Sequence, residues 1–360
     1  MTSDGSVVGA TAPGAAPAPA TPPHTTTAGD RLRLAGTTLA RIGGLVIAVI
    51  VIGAIFAYLS GGRFVSFNNL LGLVRAMSTI AIVGLGLTLV IVVGEIDLSF
   101  GALYGLCGTV CAVAWMEGGL PVYVAIGLAF LVAVGVGAFN AFFTTIIKVP
   151  SFIATLGAST LVYGLTLYVG KTKTFNPAYP IEGQYVDPGQ LAFFRGLGNQ
   201  DLPFGFPMQG VWMLVMAVIF AFLLGRSIFG FRLKAIGGNL AAAQLARLPV
   251  RRYKFAAFIL TGVMACLAAL LDFAFIGSTQ PTGGQALLFP VFAAVIIGGA
   301  SLAGGRGTVF GTLMGALLLA ILTNGIAVLN AGTFVQQMLL GTVTIAAVVL
   351  DQLTQRQRAR

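Results

Sequence analysis

Residues 92–101 read VVGEIDLSFG and place two carboxylates, Glu95 and Asp97, between two long apolar runs. A charge held inside a bilayer costs about 2.5 to 3.5 kcal/mol by insertion scales, so acids at such a place usually face a bundle interior or a water-filled path. The glycines Gly94 and Gly101 bracket the acids. The stretch therefore predicts a transmembrane helix that stops and restarts. A cytoplasmic turn with solvated acids is the alternative interpretation.

The composition of the chain is that of a polytopic membrane protein. Of its 360 residues, 57% are hydrophobic and 8% are charged, whereas soluble domains have about 25% charged residues. The net charge is +10, but the basic residues are spread through short connectors, where positive charge sets membrane topology. This distribution argues against nucleic-acid binding.

Few residues in the chain suit catalysis or metal binding. The one histidine, His24, lies in a polar tail, which excludes a histidine-based catalytic triad. Cys107, Cys111 and Cys266 lack the spacing of a disulfide framework or of a four-ligand metal set, so they are interpreted as small packing residues. The sequence predicts no catalytic residue, no metal and no cofactor.

Apolar runs that approach the roughly 20 residues needed to cross a bilayer recur along the chain. They predict an all-α polytopic membrane protein with about ten transmembrane helices and a broken-helix core. The eighth run is short and contains Pro290, which weakens a helix. The predicted spans are residues 42–60, 70–93, 98–116, 121–147, 152–170, 209–225, 255–276, 287–299, 308–328 and 334–350.

The positions of the basic residues favour one orientation in the membrane. If the N-terminus is cytoplasmic, fifteen of the twenty lysines and arginines fall on the cytoplasmic side. The five on the outer side are Arg63, Arg75, Lys171, Lys173 and Arg195. This positive-inside bias predicts that both termini are cytoplasmic.

The domain organisation follows from composition. Residues 1–40 are rich in Ala, Pro, Thr and Gly and predict a disordered cytoplasmic tail. Residues 41–351 form the predicted transmembrane domain, and residues 352–360 form a short basic cytoplasmic tail. Within the domain, the prolines of residues 171–208 predict a folded or irregular external loop rather than another span.

Residues 226–254 form the longest predicted cytoplasmic connector between spans. Gly237 and Gly238 are typical of a turn, and Asn239 can cap a helix over residues 240–247. That helix has few polar residues, so we expect it to pack against a partner protein in the cytoplasm. A basic connector lying on lipid head groups is the alternative.

Glycines recur every four residues at two places, at Gly101 and Gly105 and at Gly307, Gly311 and Gly315. Such spacing lines one helix face with small residues and predicts close helix packing.

Residues 296–305, IIGGASLAGG, also align without gaps with VVGEIDLSFG. This suggests an internal repeat whose broken segments frame a translocation path. Two amides near or inside spans, Asn140 and Asn324, suit either a polyhydroxylated ligand or interhelical hydrogen bonding.

Five segments carry a family pattern. They are GEIDLSFGALYGL from Gly94, KVPSFIATLGASTLVYGL from Lys148, LKAIGGNLAAAQLARLPVRRYK from Leu233, QPTGG from Gln280 and IIGGASLAGGRGTVFGTLMGALL from Ile296. In this order they resemble the permease subunits of ribose-type sugar ABC importers, and the resemblance covers residues 70–351.

The resemblance implies a permease that moves a monosaccharide into the cytoplasm by ATP-driven alternating access, without covalent chemistry on this chain. It implies three partners: cytoplasmic ABC ATPase subunits that hold the ATPase activity, an extracytoplasmic substrate-binding protein, and a second permease copy in a homodimer or heterodimer. The expected location is the cytoplasmic membrane of a prokaryote, with lipid around a multi-pass chain.

Two groups of site residues are expected on this basis. The first lines the substrate path and consists of Glu95, Asp97, Ser99, Asn140 and Asn324. The second forms the segment that couples to the ATPase and consists of Lys234, Gly237, Gly238, Asn239, Ala242, Ala243, Leu245 and Arg247.

Two departures from the family pattern stand out. The family usually has Gly-Gly-Ile-Asp where this chain has Glu95 at the second position, and usually has Asn-Pro-Glu-Ala-Ala where this chain has residues 239–243, NLAAA. An ion-coupled secondary transporter that uses Glu95 and Asp97 as ion sites remains an alternative function, and nucleosides or polyols remain alternative cargo.

Overall fold

The computed structural model describes the backbone of residues 28–199 and 202–359. The chain divides into two compact units, Met1–Ala40 and Arg41–Arg360. Residues 1–27 of the predicted tail lie outside the described residues. The first helix begins at Ala28, where the sequence predicted tail up to residue 40, because residues 28–40 hold no proline and are rich in the helix formers Leu, Arg and Ala.

Helices account for nearly all regular structure in the described part. They are α1 (Ala28–Leu59), α2 (Phe67–Val92), α3 (Phe100–Ala112, continued by a π-helical turn Val113–Glu117), α4 (Val122–Thr145), α5 (Ser151–Gly170), α6 (Pro188–Gly198), α7 (Met208–Gly225), α8 (Ile228–Gly238), α9 (Leu240–Leu245), α10 (Val250–Ile276), α11 (Leu288–Ile297), α12 (Val309–Val328) and α13 (Thr333–Ala359).

The predicted all-α membrane architecture is confirmed. Seven helices, α2, α3 with its π-helical turn, α4, α5, α7, α10 and α12, are long and apolar enough to cross a membrane. Three shorter apolar stretches, Gly43–Leu59, Gln285–Ile297 and Thr333–Val349, correspond to the first, eighth and tenth predicted spans. The eighth is short, as its sequence suggested, because α11 has only 10 residues.

Helix α2 forms the centre of the bundle. It packs against α7, α10, α11 and α12, and every residue from Ala81 to Val92 is buried. An apolar helix that is covered on all sides belongs to the interior of a large bundle. Helices α4, α5 and α7 instead expose many large apolar side chains, which is expected of surfaces that meet lipid or another membrane chain.

The segment between α5 and α7 is folded around α6. Asp187 caps α6 by accepting a hydrogen bond from the Gln190 amide at 2.9 Å. Phe194 on α6 is buried between Trp115 and Phe273, with ring centroids 5.2 and 4.9 Å away. The segment is therefore held onto the ends of α3 and α10.

The three cysteines are buried and form no disulfide. The Cys107 thiol donates a weak hydrogen bond to the Ala129 carbonyl at 3.6 Å. Among the described residues, no group of three or more His, Cys, Asp or Glu could hold a metal ion. The thiols serve the packing of α3 and α10.

Candidate functional site

The acidic stretch forms a break between α2 and α3. Gly94 turns the chain with φ +86°, a left-handed conformation that favours glycine. The chain then runs irregularly along the start of α5, where the Ile96 amide donates to Ser151 Oγ at 3.0 Å and the Leu98 amide donates to Thr155 Oγ1 at 3.1 Å. Side chains of α5 thus satisfy backbone groups that the break releases, as membrane depth requires. The predicted stop and restart of the helix is confirmed.

Asp97 is fixed inside this break by a short chain of hydrogen bonds. Its Oδ1 accepts from the Ser99 amide at 2.8 Å and from Ser99 Oγ at 2.7 Å. Ser99 Oγ in turn accepts from Asn140 Nδ2 on α4 at 2.7 Å. All three side chains are buried, with Asp97 only 2% exposed. These three predicted site residues are brought together, and their contacts clamp the break to α4.

Glu95 forms an ion pair with Lys254 at the start of α10. The two side chains are 11% and 13% exposed, so neither acid of the break is freely solvated. The pair borders a cavity of about 850 Å³, which Lys148, Arg251 and Arg252 also line. The extra acid, which departs from the family pattern, thus has a basic partner in this chain.

A second break separates α11 from α12. It turns at Gly304 and Gly305, with φ +84° and +75°, and α12 restarts where Thr308 Oγ1 accepts from the Gly311 amide at 3.0 Å. The Gly305 amide donates to the Val92 carbonyl at 2.8 Å. The two stretches that align in the sequence therefore touch each other in the fold.

The cytoplasmic connector adopts the capped helix that the sequence predicts. Asn239 Oδ1 accepts from the Ala242 amide at 2.9 Å and begins α9. The predicted end at Arg247 is two residues too late, since α9 ends at Leu245. Arg247 has φ +54°, and the Leu248 amide bonds back to the Ala243 carbonyl at 3.0 Å, so the chain turns away before the predicted end.

Gly237, at the end of α8, lies where the two breaks meet. A Cβ placed on Gly237 would lie 1.9 Å from the Val92 carbonyl oxygen and 2.7 Å from the Gly305 nitrogen. One placed on Gly304 would lie 2.6 Å from the Gly237 carbonyl oxygen. Only glycine permits this approach, so the connector is packed directly onto both breaks.

The rest of the connector presents an exposed face. Leu245 is 87% exposed and Leu240 is 42% exposed, while Ala242 and Arg247 are also exposed and Ala243 is buried. Partial burial lowers the pKa of Lys234 from its ordinary value. Exposed leucines on a short helix favour a docking surface.

The five glycines predicted to support helix packing lie at close contacts. A Cβ on each would fall under 3.0 Å from a neighbouring atom. These atoms are the Gly284 carbonyl oxygen for Gly101, the Pro281 carbonyl oxygen for Gly105, Val92 Cγ2 for Gly307, the Gly298 carbonyl oxygen for Gly311 and the Ala294 carbonyl oxygen for Gly315.

Asn324 lies apart from the other predicted path residues. Its amide pairs with that of Asn69, with Nδ2 to Oδ1 distances of 3.0 and 2.9 Å in the two directions. Asn69 is near the start of α2, about 35 Å of helix from the break at its end. This geometry favours the interhelical interpretation that the sequence left open.

The sequence interpretation did not select Asp272 on α10. Its carboxylate accepts from Tyr104 Oη at 2.6 Å and from Thr79 Oγ1 at 2.9 and 3.0 Å. Asp272 lies inside the predicted span 255–276, and an acid inside a span is by itself a candidate functional residue.

Comparison with known proteins gives three kinds of match. The family model described as "Branched-chain amino acid transport system / permease component" matches residues 69–348. The ribose import permease protein RbsC of Escherichia coli K12 is 33% identical over 308 residues, which cover 85% of this chain and 92% of that protein.

The xylose transport system permease protein XylH of the same strain is 30% identical over 361 residues, covering 87% of this chain and 92% of that protein. The probable ABC transporter permease protein YphD, also of this strain, is 33% identical over 314 residues, covering 87% and 90%. A solved structure, "An inward-facing conformation of a putative metal-chelate type ABC transporter", matches 80% of this chain and 90% of that chain with 15% identity and a TM-score of 0.44.

Proposed function

The chain belongs to the family of branched-chain amino acid transport system permease components, as a permease subunit of a ribose-type ABC importer, and on this premise we propose that it carries a monosaccharide into the cytoplasm. RbsC and XylH are named for ribose and xylose. These names supply the proposed cargo class, a pentose or a similar polyhydroxylated solute.

The contact of Gly237 with both helix breaks carries the proposed mechanism. ATP binding closes a pair of partner ATPases and displaces the connector that contains α8 and α9. Because Gly237 abuts Val92 and Gly305 without an intervening side chain, this displacement reaches the end of α2 and the break between α11 and α12 directly. The helices then rock about the two breaks and open the path to one side at a time.

The ATPase activity belongs to a separate cytoplasmic subunit that docks on the exposed face of α9. Leu240 and Leu245 supply the apolar contact, and Arg247 supplies charge at its edge. An extracytoplasmic binding protein delivers the sugar, and a second permease copy completes the path. In this arrangement the chain crosses the bacterial inner membrane with both termini in the cytoplasm.

An ion-coupled secondary transporter fits the break less well. Such a transporter would need carboxylates available to a coupling ion. Glu95 is already neutralised by Lys254, and Asp97 is committed to Ser99. The acids of the break are therefore used to hold its structure.

The proposal is tested by purifying the chain from its native membrane in mild detergent and identifying the proteins that accompany it. We expect an ABC ATPase, and we expect Leu245→Glu to remove it. The matched control is Tyr179→Glu, which changes a side chain of similar exposure, 79%, in the segment between α5 and α7.

The purified complex is then placed in liposomes with the binding protein, and uptake of radiolabelled D-ribose and D-xylose is measured with and without ATP. ATP-dependent uptake of either sugar supports the proposal. Uptake by the chain alone under an ion gradient would overturn it.

A further inference from the structure

A polar cluster lies at half the depth of the central helix. Thr79 is 12 residues from the start of α2 and 13 from its end, which places it about 18 to 20 Å from either end. Asp272 accepts from the Thr79 hydroxyl, which lies within hydrogen-bond distance of both carboxylate oxygens, and from the Tyr104 hydroxyl. The acid is therefore held beside the middle of α2, although Asp272 itself lies four residues before the end of α10. An acid among membrane-spanning helices is costly, and such residues usually serve a function.

This cluster is not sealed into the core. Thr79, Tyr104 and Asp272 are each partly exposed, in contrast to the buried Asp97. Among the described residues, Asp272 forms no ion pair. A carboxylate has about four acceptor positions, so Asp272 retains the capacity to accept hydrogen bonds from a ligand.

Irregular backbone lies beside the cluster. The segment 280–284, QPTGG, runs along α3, and a Cβ on Gly284 would lie 2.9 Å from Tyr104 Cβ. Thr282 and Gly283 in this segment are exposed. Non-helical backbone at membrane depth is tolerated where protein buries it or where it lines a water-filled cavity. This chain does not bury Thr282 and Gly283, and in the site proposed below they lie on a water-filled path.

A cationic donor and an aromatic ring adjoin the acid. Arg75 lies one helical turn before Thr79, and its guanidinium carbon is 4.6 Å from the centroid of the Phe275 ring. Phe275 follows Asp272 by three residues, so both lie on one face of α10. Arg75 Nε is buried and has no hydrogen-bond partner among the described residues. The cluster thus combines an acceptor and an apolar ring on α10 with a donor on α2.

We infer that Asp272, Tyr104, Thr79 and Arg75 form the site at which the transported sugar rests midway across the membrane. Sugar hydroxyls donate to the Asp272 carboxylate and accept from the Arg75 guanidinium, and the C–H face of the ring packs on Phe275. A substrate-binding site near the bilayer midplane suits alternating access, because it can open first to one side of the membrane and then to the other. The inference rests on the proposed function and adds the residues that contact the cargo.

The test uses the whole importer in liposomes, with its ATPase and binding protein, and the pentose that the wild type takes up, D-ribose or D-xylose. Asp272→Asn keeps the shape of the side chain, Tyr104→Phe removes one hydroxyl, and Thr79→Val removes another. Thr88→Val is the matched control, because Thr88 lies on the same helix but is buried against Thr312 at 2.7 Å.

We expect Asp272→Asn to lower uptake at sub-saturating sugar at least about tenfold, the effect of losing one charge-assisted hydrogen bond. Tyr104→Phe and Thr79→Val should lower it less, and Thr88→Val should leave it within about twofold of wild type. Assembly and ATPase activity without sugar should be retained in all four variants. A deoxy analogue of the same pentose should compete for uptake by Asp272→Asn more effectively, relative to the parent sugar, than it does for uptake by the wild type.

A second measurement does not depend on transport rate. The native cysteines are buried, so a cysteine at position 272 should alone react with a water-soluble methanethiosulfonate, and the transported pentose should slow this reaction. Unchanged uptake and selectivity in Asp272→Asn, or no labelling in Asp272→Cys, would overturn the inference while the importer still works. A wild-type complex that moves no sugar would overturn the proposed function, and the inference with it.

Discussion

Gly237 packs its α-carbon against the main-chain carbonyl of Val92, so closely that a Cβ would stand 1.9 Å from the oxygen. The same oxygen accepts the amide hydrogen bond of Gly305 at 2.8 Å. The connector and both helix breaks therefore meet at one peptide group. Since protein interiors deform little under load, this junction can transmit a displacement of the connector to the spans.

The first prediction concerns this junction. Gly237→Ala places a methyl group where the Val92 carbonyl and the Gly305 nitrogen already lie, so the connector must move away. Overpacking of this kind costs about 1 to 3 kcal/mol. We expect a lower unfolding temperature in detergent, and a loss of sugar uptake greater than the loss of ATPase activity.

Gly238→Ala is the matched control for this change. A Cβ on Gly238 would have only Gly305 Cα near it, at 3.9 Å, which is an ordinary van der Waals contact. Uptake and ATPase activity should then stay near wild-type values. Equal effects of the two substitutions would contradict the idea that contact with Val92 matters.

The second prediction concerns the ion pair of Glu95 with Lys254. Glu95→Gln leaves Lys254 beside the basic residues Lys148 and Arg251 of the same cavity, and Lys254→Met leaves the acid without its partner. Each single change should destabilise the complex, because both side chains are largely removed from solvent.

A double-mutant cycle measures this coupling. Directly contacting charges give interaction energies of about 0.5 to 3 kcal/mol. The exchanged pair, Glu95→Lys with Lys254→Glu, should recover part of the lost stability in thermal unfolding. If the stability losses of Glu95→Gln and Lys254→Met simply added up in the double variant that combines them, the pair would contribute nothing.

The third prediction concerns the clamp that Ser99 forms between Asp97 and Asn140. Ser99→Ala removes the hydroxyl donor to Asp97 Oδ1, which keeps its bond from the residue-99 amide, and removes the acceptor of Asn140 Nδ2. A buried group left without a partner costs about 1 to 3 kcal/mol. Asn140→Ala breaks one link of the same chain.

The two substitutions should therefore be non-additive when their effects on thermal unfolding are compared. Thr160→Val, on the exposed face of α5, is a control that should change stability by less than about 0.5 kcal/mol. A Ser99→Ala protein as stable as the control would mean that the clamp is dispensable.

Most of the fold could be predicted from the sequence because each span carries its own signal. Apolar runs mark the seven long apolar helices and the three shorter apolar stretches of the described part, and Gly94 with its neighbouring acids marks the break between α2 and α3. Asn239 marks the start of α9 for the same local reason, since a side-chain cap involves residues three apart. Where the information is local, the interpretation and the structure agree.

Pairings between distant segments were not predictable in this way. Glu95 contacts Lys254, and Asn324 contacts Asn69. The local sequence around each of these residues does not indicate which distant residue it will contact. Backbone amides of the break also donate to Ser151 and Thr155 on α5, and Ser99 joins Asp97 to Asn140 on α4. Asp272 was overlooked for a different reason, because it stands alone in an apolar run without a glycine or a second acid beside it.

The fourth prediction concerns the packing of α11 on α12. A Cβ on Gly311 would lie 1.8 Å from the Gly298 carbonyl oxygen, so Gly311→Ala must push the two helices apart at the second break. We expect a stability loss of about 1 to 3 kcal/mol or more, since the obstacle is backbone that cannot rotate away.

Gly341→Ala on α13 is the matched control, because a Cβ there has nothing within 4 Å. Alanine should even favour this helix by up to about 1 kcal/mol. Thermal unfolding of the purified complex compares the two variants directly. Equal stability of Gly311→Ala and Gly341→Ala would contradict the close approach of α11 and α12 at Gly311.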